Sequence, residues 1–206
     1  MSNGELFKQQ KYIEVKNLVP TDLCRIVTKY ALMKEEMEFT PEGPGTQVDN
    51  AHSVYGDTLT ETLLYFLRPH IEKATGKQLC PTYSYYRVYR PGDVLKKHID
   101  RPACEISSTV CFGYYYTLKD EDYRWGMSVA DGTLITQNPG DGIIYRGCEV
   151  EHWRDAFDAG PNSYQVQAFF HYIDKDGPFY PTWAYDNRPG LGFRDDQQKV
   201  TQKIDK

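Results

Sequence analysis

The sequence predicts a mainly β protein with flanking helices, of the sandwich or jelly-roll kind. Three observations lead there. Between residues 79 and 174 the chain breaks into many short apolar or alternating runs separated by Gly, Pro, Asn and Asp turn signals. Aromatic residues make up 14% of the chain, with 17 tyrosines, a residue that favours pleated and half-buried surfaces. Helical periodicity is confined to the first 78 residues.

The N-terminal zone, residues 1–78, reads as mostly helical support. Thr21 and Asp22 follow Pro20 and suit the start of a helix that sets Leu23, Ile26, Val27 and Tyr30 on one face. A Pro/Gly-rich loop is expected from Pro41 to Gly45. Asp57 is placed to cap a second helix carrying Leu59, Leu63, Phe66, Leu67, His70 and Ile71 at helical spacing, and Gly76 to end it. His52 falls in an expected loop and His70 on the helix, and neither is assigned a role.

In the β zone the expected strands are Tyr83–Tyr89, Leu95–Asp100, Ser107–Tyr116, Gly132–Thr136, Gly142–Tyr145, Glu149–Arg154 and Tyr164–Ile173. Residues 175–206 form a proline-containing arm dense in aromatics, among them Trp183 and Tyr185. The arm is expected to fold back on the body, as a docked tail or a lid, and the polar residues from Asp195 on are expected to be disordered. A chain of 206 residues with 40% hydrophobic content fits a single domain over 1–206.

Composition narrows the function. A net charge of −5 gives no global attraction to nucleic acid or anionic membrane, so neither is expected as a partner. No apolar run approaches the ~18 residues of a membrane span, and the opening MSNGELFKQQKYIEV lacks the apolar core of a secretory signal. Five cysteines, Cys24, Cys80, Cys104, Cys111 and Cys148, form no C-x-x-C pair. The expectation is a cytoplasmic protein with reduced thiols.

The chemistry-bearing pattern is His98-Ile99-Asp100. On a strand, residues i and i+2 project from one face, so an imidazole and a carboxylate can reach one ion. Two histidines and a carboxylate on one face are the ligand set of Fe(II) oxygenases, and His152, on a separate expected strand, can supply the second imidazole. His171 is the rival and more often would pack or hydrogen-bond. Arg154 stands two residues beyond His152 on the same face. A buried guanidinium there calls for an anionic partner, which a dicarboxylate would provide; the bland alternative is a surface ion pair with Asp155 or Asp158.

These residues resemble the Fe(II)/2-oxoglutarate-dependent dioxygenase superfamily, and within it the prolyl 4-hydroxylase-like branch. The resemblance runs over about residues 79–174. It rests on Tyr89-Arg90-Pro91-Gly92, Lys97-His98-Ile99-Asp100-Arg101-Pro102, the segment Ser108–Phe112, the Pro139-Gly140-Asp141 turn into Ile143-Ile144-Tyr145, and His152. It implies a double-stranded β-helix, a jelly-roll relative of cupins, and hydroxylation of a substrate C–H bond coupled to oxidative decarboxylation of 2-oxoglutarate. It also implies Fe(II), 2-oxoglutarate and O2 as cofactor and cosubstrates, with ascorbate a candidate reductant.

His98, Asp100 and His152 are then the metal ligands, and Tyr89, Arg154, Gln167 and Thr109 the 2-oxoglutarate contacts. The sequence departs from the pattern in one place. Family members carry Arg or Lys further along, after the distal histidine, where this chain reads Pro161-Asn162-Ser163-Tyr164-Gln165-Val166-Gln167. Arg154 is the substitute cation, with Gln167 or Gln165 as neutral helper.

Tyr85, Arg87, Arg101 and Trp125 are the substrate-side candidates, with Trp153 a further pocket wall. Arg87 alternatively pairs with Glu105. Arg87, Arg90, Lys96, Lys97 and Arg101 form a cationic rim or meet an acidic substrate. The substrate is a peptide or protein, with proline one candidate, or a small molecule. The competing readings are a cupin-like metalloenzyme that is not an oxygenase and a non-catalytic metal-binding module.

Overall fold

The computed structural model describes residues 3–38, 47–48 and 51–193. The Pro41–Gly45 loop and the tail from Asp195 lie outside them. Two antiparallel sheets form the centre. The larger has six strands in the order β1 (Tyr12–Val15), β8 (Gly142–Tyr145), β5 (Ile106–Tyr115), β10 (Tyr164–Asp174), β3 (Leu79–Tyr89), β2 (His52–Tyr55). The smaller has four, in the order β4 (Leu95–His98), β9 (His152–Arg154), β6 (Met127–Val129), β7 (Leu134–Ile135).

Helices α1 (Asn3–Gln10), α2 (Thr21–Glu38) and α3 (Thr58–Thr75) cover one face of the six-stranded sheet. Val27, Ala31, Leu64 and Ile71 from the helices pack on Tyr86, Val88, Val110, Phe112, Val166 and Phe170. A fully buried side chain of this kind contributes about 1.5–3 kcal/mol, so this layer anchors the sheet whose other face carries the site. Helix α3 starts where its signal stands: the Asp57 carboxylate accepts from Leu59 N and Thr60 N, and Gly76 ends it at φ 71°. Among the described residues no helix is long and apolar enough to cross a membrane. None of the five cysteines is in a disulfide.

Several expectations are corrected. His52 is not in a loop; it lies on β2 opposite Val88. The first zone is mostly helical, as expected, and it also carries β1 and β2, which close the two edges of the large sheet. Strand β6 was not anticipated, and the Gly132–Thr136 run shortens to Leu134–Ile135. The two ligand-bearing strands are shorter than Leu95–Asp100 and Glu149–Arg154, being interrupted at turns. Ile26 and Phe66 do not join the helix cores; they are 60% and 66% exposed. Helical spacing alone does not separate the edge of an apolar stripe from its centre.

The C-terminal arm is docked. Asp186 accepts both Nη atoms of Arg101 at 2.7 Å and the Tyr55 hydroxyl at 2.6 Å. Arg188 is buried and pairs with Glu61 while also donating to the Thr82 carbonyl. Trp183 packs beside Tyr83, Ala103 and Cys104.

Candidate metal centre

The inner faces of the two sheets enclose a cavity of about 480 Å3, whose wall includes His98, Asp100, His152, Tyr85, Arg87 and His171. His98 and His152 are direct cross-strand partners of β4 and β9, with ring centroids 4.3 Å apart. Asp100 lies two residues past His98, just beyond the strand, where its N–H donates to the Gly147 carbonyl at 2.8 Å. One carboxylate oxygen, Oδ1, stands 3.5 Å from His98 Nε2 and 3.8 Å from His152 Nε2. The three donor atoms lie within 4.8 Å of one another.

Their orientation is fixed from behind. His98 Nδ1 lies 2.7 Å from the Lys96 carbonyl and His152 Nδ1 lies 2.9 Å from the Val150 carbonyl. A carbonyl only accepts, so both Nδ1 atoms carry the proton and both Nε2 lone pairs face the cavity. Ser107 Oγ donates to the other Asp100 oxygen at 2.9 Å. Two lone pairs and a carboxylate oxygen thus converge on one point, and a dication there would satisfy all three.

Burial would raise the Asp100 carboxyl, but His98, His152, His171 and Ser107 together hold it at about 2. Burial lowers His152, and Asp100 offsets this only in part. Burial also acts to lower His98, and there the Asp100 carboxylate and the Lys96 carbonyl outweigh it, leaving it raised. An ionised carboxylate beside a neutral buried imidazole is the protonation state that metal binding needs.

Gly147 permits this packing. A Cβ at that position would collide with the Cys104 carbonyl and with Asp100 Oδ2 and Ser107 Oγ. Neither Gly147 nor Ser107 was anticipated as part of the site, and nor was Tyr145, whose ring lies 4.7 Å from that of His152. The His171 ring packs on Tyr83 at 4.5 Å, with Nδ1 2.9 Å from Ser107 Oγ.

Deeper between the sheets, Arg154 is 1% exposed. Its Nη1 donates to the Trp125 carbonyl at 3.2 Å, and its Nη2 reaches Gln137 Oε1 at 3.4 Å. Its Nε has no hydrogen-bond partner, and among the described residues it makes no ion pair; Asp155 and Asp158 do not reach it. Burial pushes its pKa down, yet a guanidinium stays charged. A buried cation whose partners are neutral oxygens fits a carboxylate ligand.

Around it runs a chain of amides and hydroxyls. Gln167 Nε2 donates to Thr109 Oγ1 at 2.7 Å and Gln137 Oε1 at 2.9 Å, Gln165 Nε2 donates to Gln167 Oε1 at 3.1 Å, and the Tyr116 hydroxyl donates to Gln165 Oε1 at 2.5 Å. Gln137 and Tyr116 are the members that sequence reasoning missed; Gln137 lies on the irregular segment between β7 and the Pro139-Gly140-Asp141 turn.

The substrate-side candidates divide. Tyr85, Arg87 and Arg101 line the cavity. Arg87 donates to Tyr89 and Tyr85 hydroxyls at 3.2 and 3.3 Å and to Ser53 Oγ at 2.9 Å; it does not pair with Glu105, whose carboxylate accepts from Asp174 N. Trp125 is not a wall of the cavity. It packs between Tyr89 and Phe157, under the Arg154 guanidinium at 5.1 Å.

Trp153 faces the other way, beneath Lys97. The cationic cluster also disperses: Arg90 pairs with Glu35 and Lys97 with Glu151.

No protein-family model and no curated protein matches the sequence. Solved structures do. The non-heme alpha-ketoglutarate-dependent epimerase SnoN from nogalamycin biosynthesis is similar with a TM-score of 0.64 and 13% identity, covering 98% of this chain and 94% of that one. A Pseudomonas putida prolyl-4-hydroxylase is similar with a TM-score of 0.56 and 17% identity, covering 78% and 92%. NgTET1 in complex with 5mC DNA is similar with a TM-score of 0.56 and 10% identity, covering 80% and 72%. The fold is the double-stranded β-helix that such oxygenases share. An epimerase, a prolyl-4-hydroxylase and a protein in complex with 5mC DNA share this fold, so the fold does not choose the substrate.

Proposed function

We propose that this chain is an Fe(II)- and 2-oxoglutarate-dependent oxygenase that hydroxylates a C–H bond of its substrate. The observation that carries the reading is the convergence of His98 Nε2, His152 Nε2 and Asp100 Oδ1 on one point, together with a buried Arg154 that has no anionic partner among the described residues. His98, Asp100 and His152 would hold the metal on one face and leave its other positions open. Arg154 would take the far carboxylate of 2-oxoglutarate, with Tyr89, Thr109 and Gln167 as neutral contacts. When bound, the iron and 2-oxoglutarate supply the activation of O2 and the oxidation of the C–H bond.

The chain's own share is orientation and exclusion of water. The Lys96 and Val150 carbonyls fix the imidazole tautomers, and Ser107 fixes the carboxylate. Tyr85, Arg87 and Arg101, on the cavity wall, would face the substrate, which is a small molecule or a peptide segment, with a prolyl residue one candidate. The net charge of −5 favours such a substrate over nucleic acid.

The test is anaerobic addition of Fe(II) and then 2-oxoglutarate to the purified protein. A visible metal-to-ligand charge-transfer band is expected, followed on O2 admission by release of succinate. Absence of both, with tight Zn2+ binding and O2-independent activity on a hydrolysable or isomerisable substrate, would favour the non-oxygenase reading instead.

A further inference from the structure

Asp100 belongs to a second set of donors. Asp100, Cys104 and His171 also place one ligand atom each within 4.8 Å of one another. Cys104 is 2% and His171 6% exposed, yet both line the same cavity as the first triad, so an ion has an entry path. We propose that these three residues form a second cation site, for a thiophilic divalent ion such as Zn2+, that shares Asp100 with the His98–Asp100–His152 centre. This goes beyond the oxygenase reading and does not rest on it.

Topology builds the cluster. The 3-10 turn Pro102–Cys104 folds the chain back just after Asp100, bringing the thiol four residues on toward the same carboxylate. His171 arrives from β10, directly opposite Ser107 on β5. Ser107 orients the set. Its hydroxyl has one proton, donated to Asp100 Oδ2 at 2.9 Å with the Cys104 carbonyl as the other acceptor in reach at 3.1 Å. It must therefore accept from His171 Nδ1–H at 2.9 Å, which leaves His171 Nε2 with its lone pair. The Tyr83 hydroxyl lies 3.1 Å from Cys104 Sγ and can donate to a thiolate.

The two donor sets differ in softness. The first offers two imidazoles and a carboxylate, and the second replaces one imidazole by a thiolate, which selects Zn2+ over Mg2+ or Mn2+. Zn–S and Zn–N distances of about 2.3 and 2.0–2.1 Å need donor atoms only a few ångströms apart, as here, and the open cavity leaves the fourth position to water. Binding converts the Cys104 thiol and a dication into a metal thiolate plus one proton released to solvent. Because Asp100 serves both sets, filling the second site perturbs the first, and Zn2+ is expected to compete with Fe(II) through the shared carboxylate.

The test uses Co2+ as a spectroscopic probe in the His98→Ala/His152→Ala variant, where the first site is disabled and the outcome does not depend on the oxygenase reading. The expected result is a near-ultraviolet thiolate-to-Co2+ charge-transfer band that saturates at one ion per chain and is matched by release of one proton. The band should vanish on adding Cys104→Ser and persist on adding Cys148→Ser. His171→Gln, which leaves every thiol in place, should weaken Co2+ binding roughly 100-fold. No thiolate band, a band that survives Cys104→Ser, or unchanged affinity in His171→Gln would each overturn the proposal. The His171→Gln arm carries the test if Cys104→Ser fails to fold.

Discussion

His98 and His152 stand directly opposite each other across the β4–β9 pair, and Asp100 Oδ1 lies within 4 Å of both Nε2 atoms. The closest of these approaches, 3.5 Å, is too long for a good hydrogen bond, so the three groups are arranged around a shared point and not around one another. Asp100→Ala removes the only anion of the set. It is expected to lower Fe(II) affinity by about 100-fold or more and to abolish 2-oxoglutarate turnover. The wild-type protein, held at 100 times its Fe(II) dissociation constant, should gain about 2.7 kcal/mol of stability, and Asp100→Ala should lose most of it. Anaerobic thermal melts with and without Fe(II) measure this.

Arg154→Leu separates stability from binding. Among the described residues the buried guanidinium has neutral partners alone, and its Nε has none. Replacing it by an apolar side chain is expected to leave the metal-free protein as stable as before or more so, by up to about 1–4 kcal/mol. The same change should weaken 2-oxoglutarate, read by the charge-transfer band, by roughly 2–5 kcal/mol of binding energy. Unchanged 2-oxoglutarate affinity in Arg154→Leu with a loss in Arg87→Leu would move the carboxylate anchor to Arg87, which lines the cavity.

The readable and unreadable parts of this site follow physical lines. His152 and Arg154 are legible as one face because both stand on β9, where two residues apart means one face; His98 and Asp100 have the same spacing, but Asp100 falls past the end of β4 and is placed by the turn that follows. The Asp57 and Gly76 ends of α3 were legible because capping is local chemistry. Gly147, Ser107 and Gln137 were not, because each matters through partners far along the chain: Gly147 meets Asp100 and Cys104, Ser107 meets His171, and Gln137 meets Arg154 and Gln167. Trp125 was assigned to the cavity on its residue type alone, and packing against Tyr89 and Phe157 drew it elsewhere. The edge strands β1 and β2 escaped notice since four residues are too few to show a period.

His171 predicts a pH dependence of stability. Burial holds its folded pKa at about 4, below the ordinary 6.5, with Arg101 and His152 adding to the effect and Asp100 opposing it. Between these two values the unfolded chain binds a proton that the folded chain refuses, so the folded state loses stability as pH falls from 6.5 to 4. The contribution is fully present above 6.5 and on the order of 3 kcal/mol in size. Urea unfolding of chelator-treated protein across this range should show a shallower slope for His171→Gln than for wild type. Identical slopes would mean that His171 titrates normally in the folded protein.

Arg188 ties the C-terminal arm to the body through a charge pair that water does not reach. The side chains of Arg188 and Glu61 are 1% and 2% exposed, and Glu61 Oε2 also accepts from Gly192 N. Arg188→Met leaves the buried Glu61 carboxylate without its cation, and breaking a buried pair on one side costs about 3–5 kcal/mol. Because Asp186, two residues earlier, holds Arg101 and Tyr55 at the cavity wall, loosening the arm should raise KM for substrate while leaving Fe(II) affinity intact. Adding Glu61→Gln removes the stranded charge and should recover part of the lost stability without restoring the dock. Denaturant unfolding of wild type and the two variants, with KM measured on each, separates the two effects: equal stability losses in the single and double variants would mean that the charge pair contributes nothing beyond its packing.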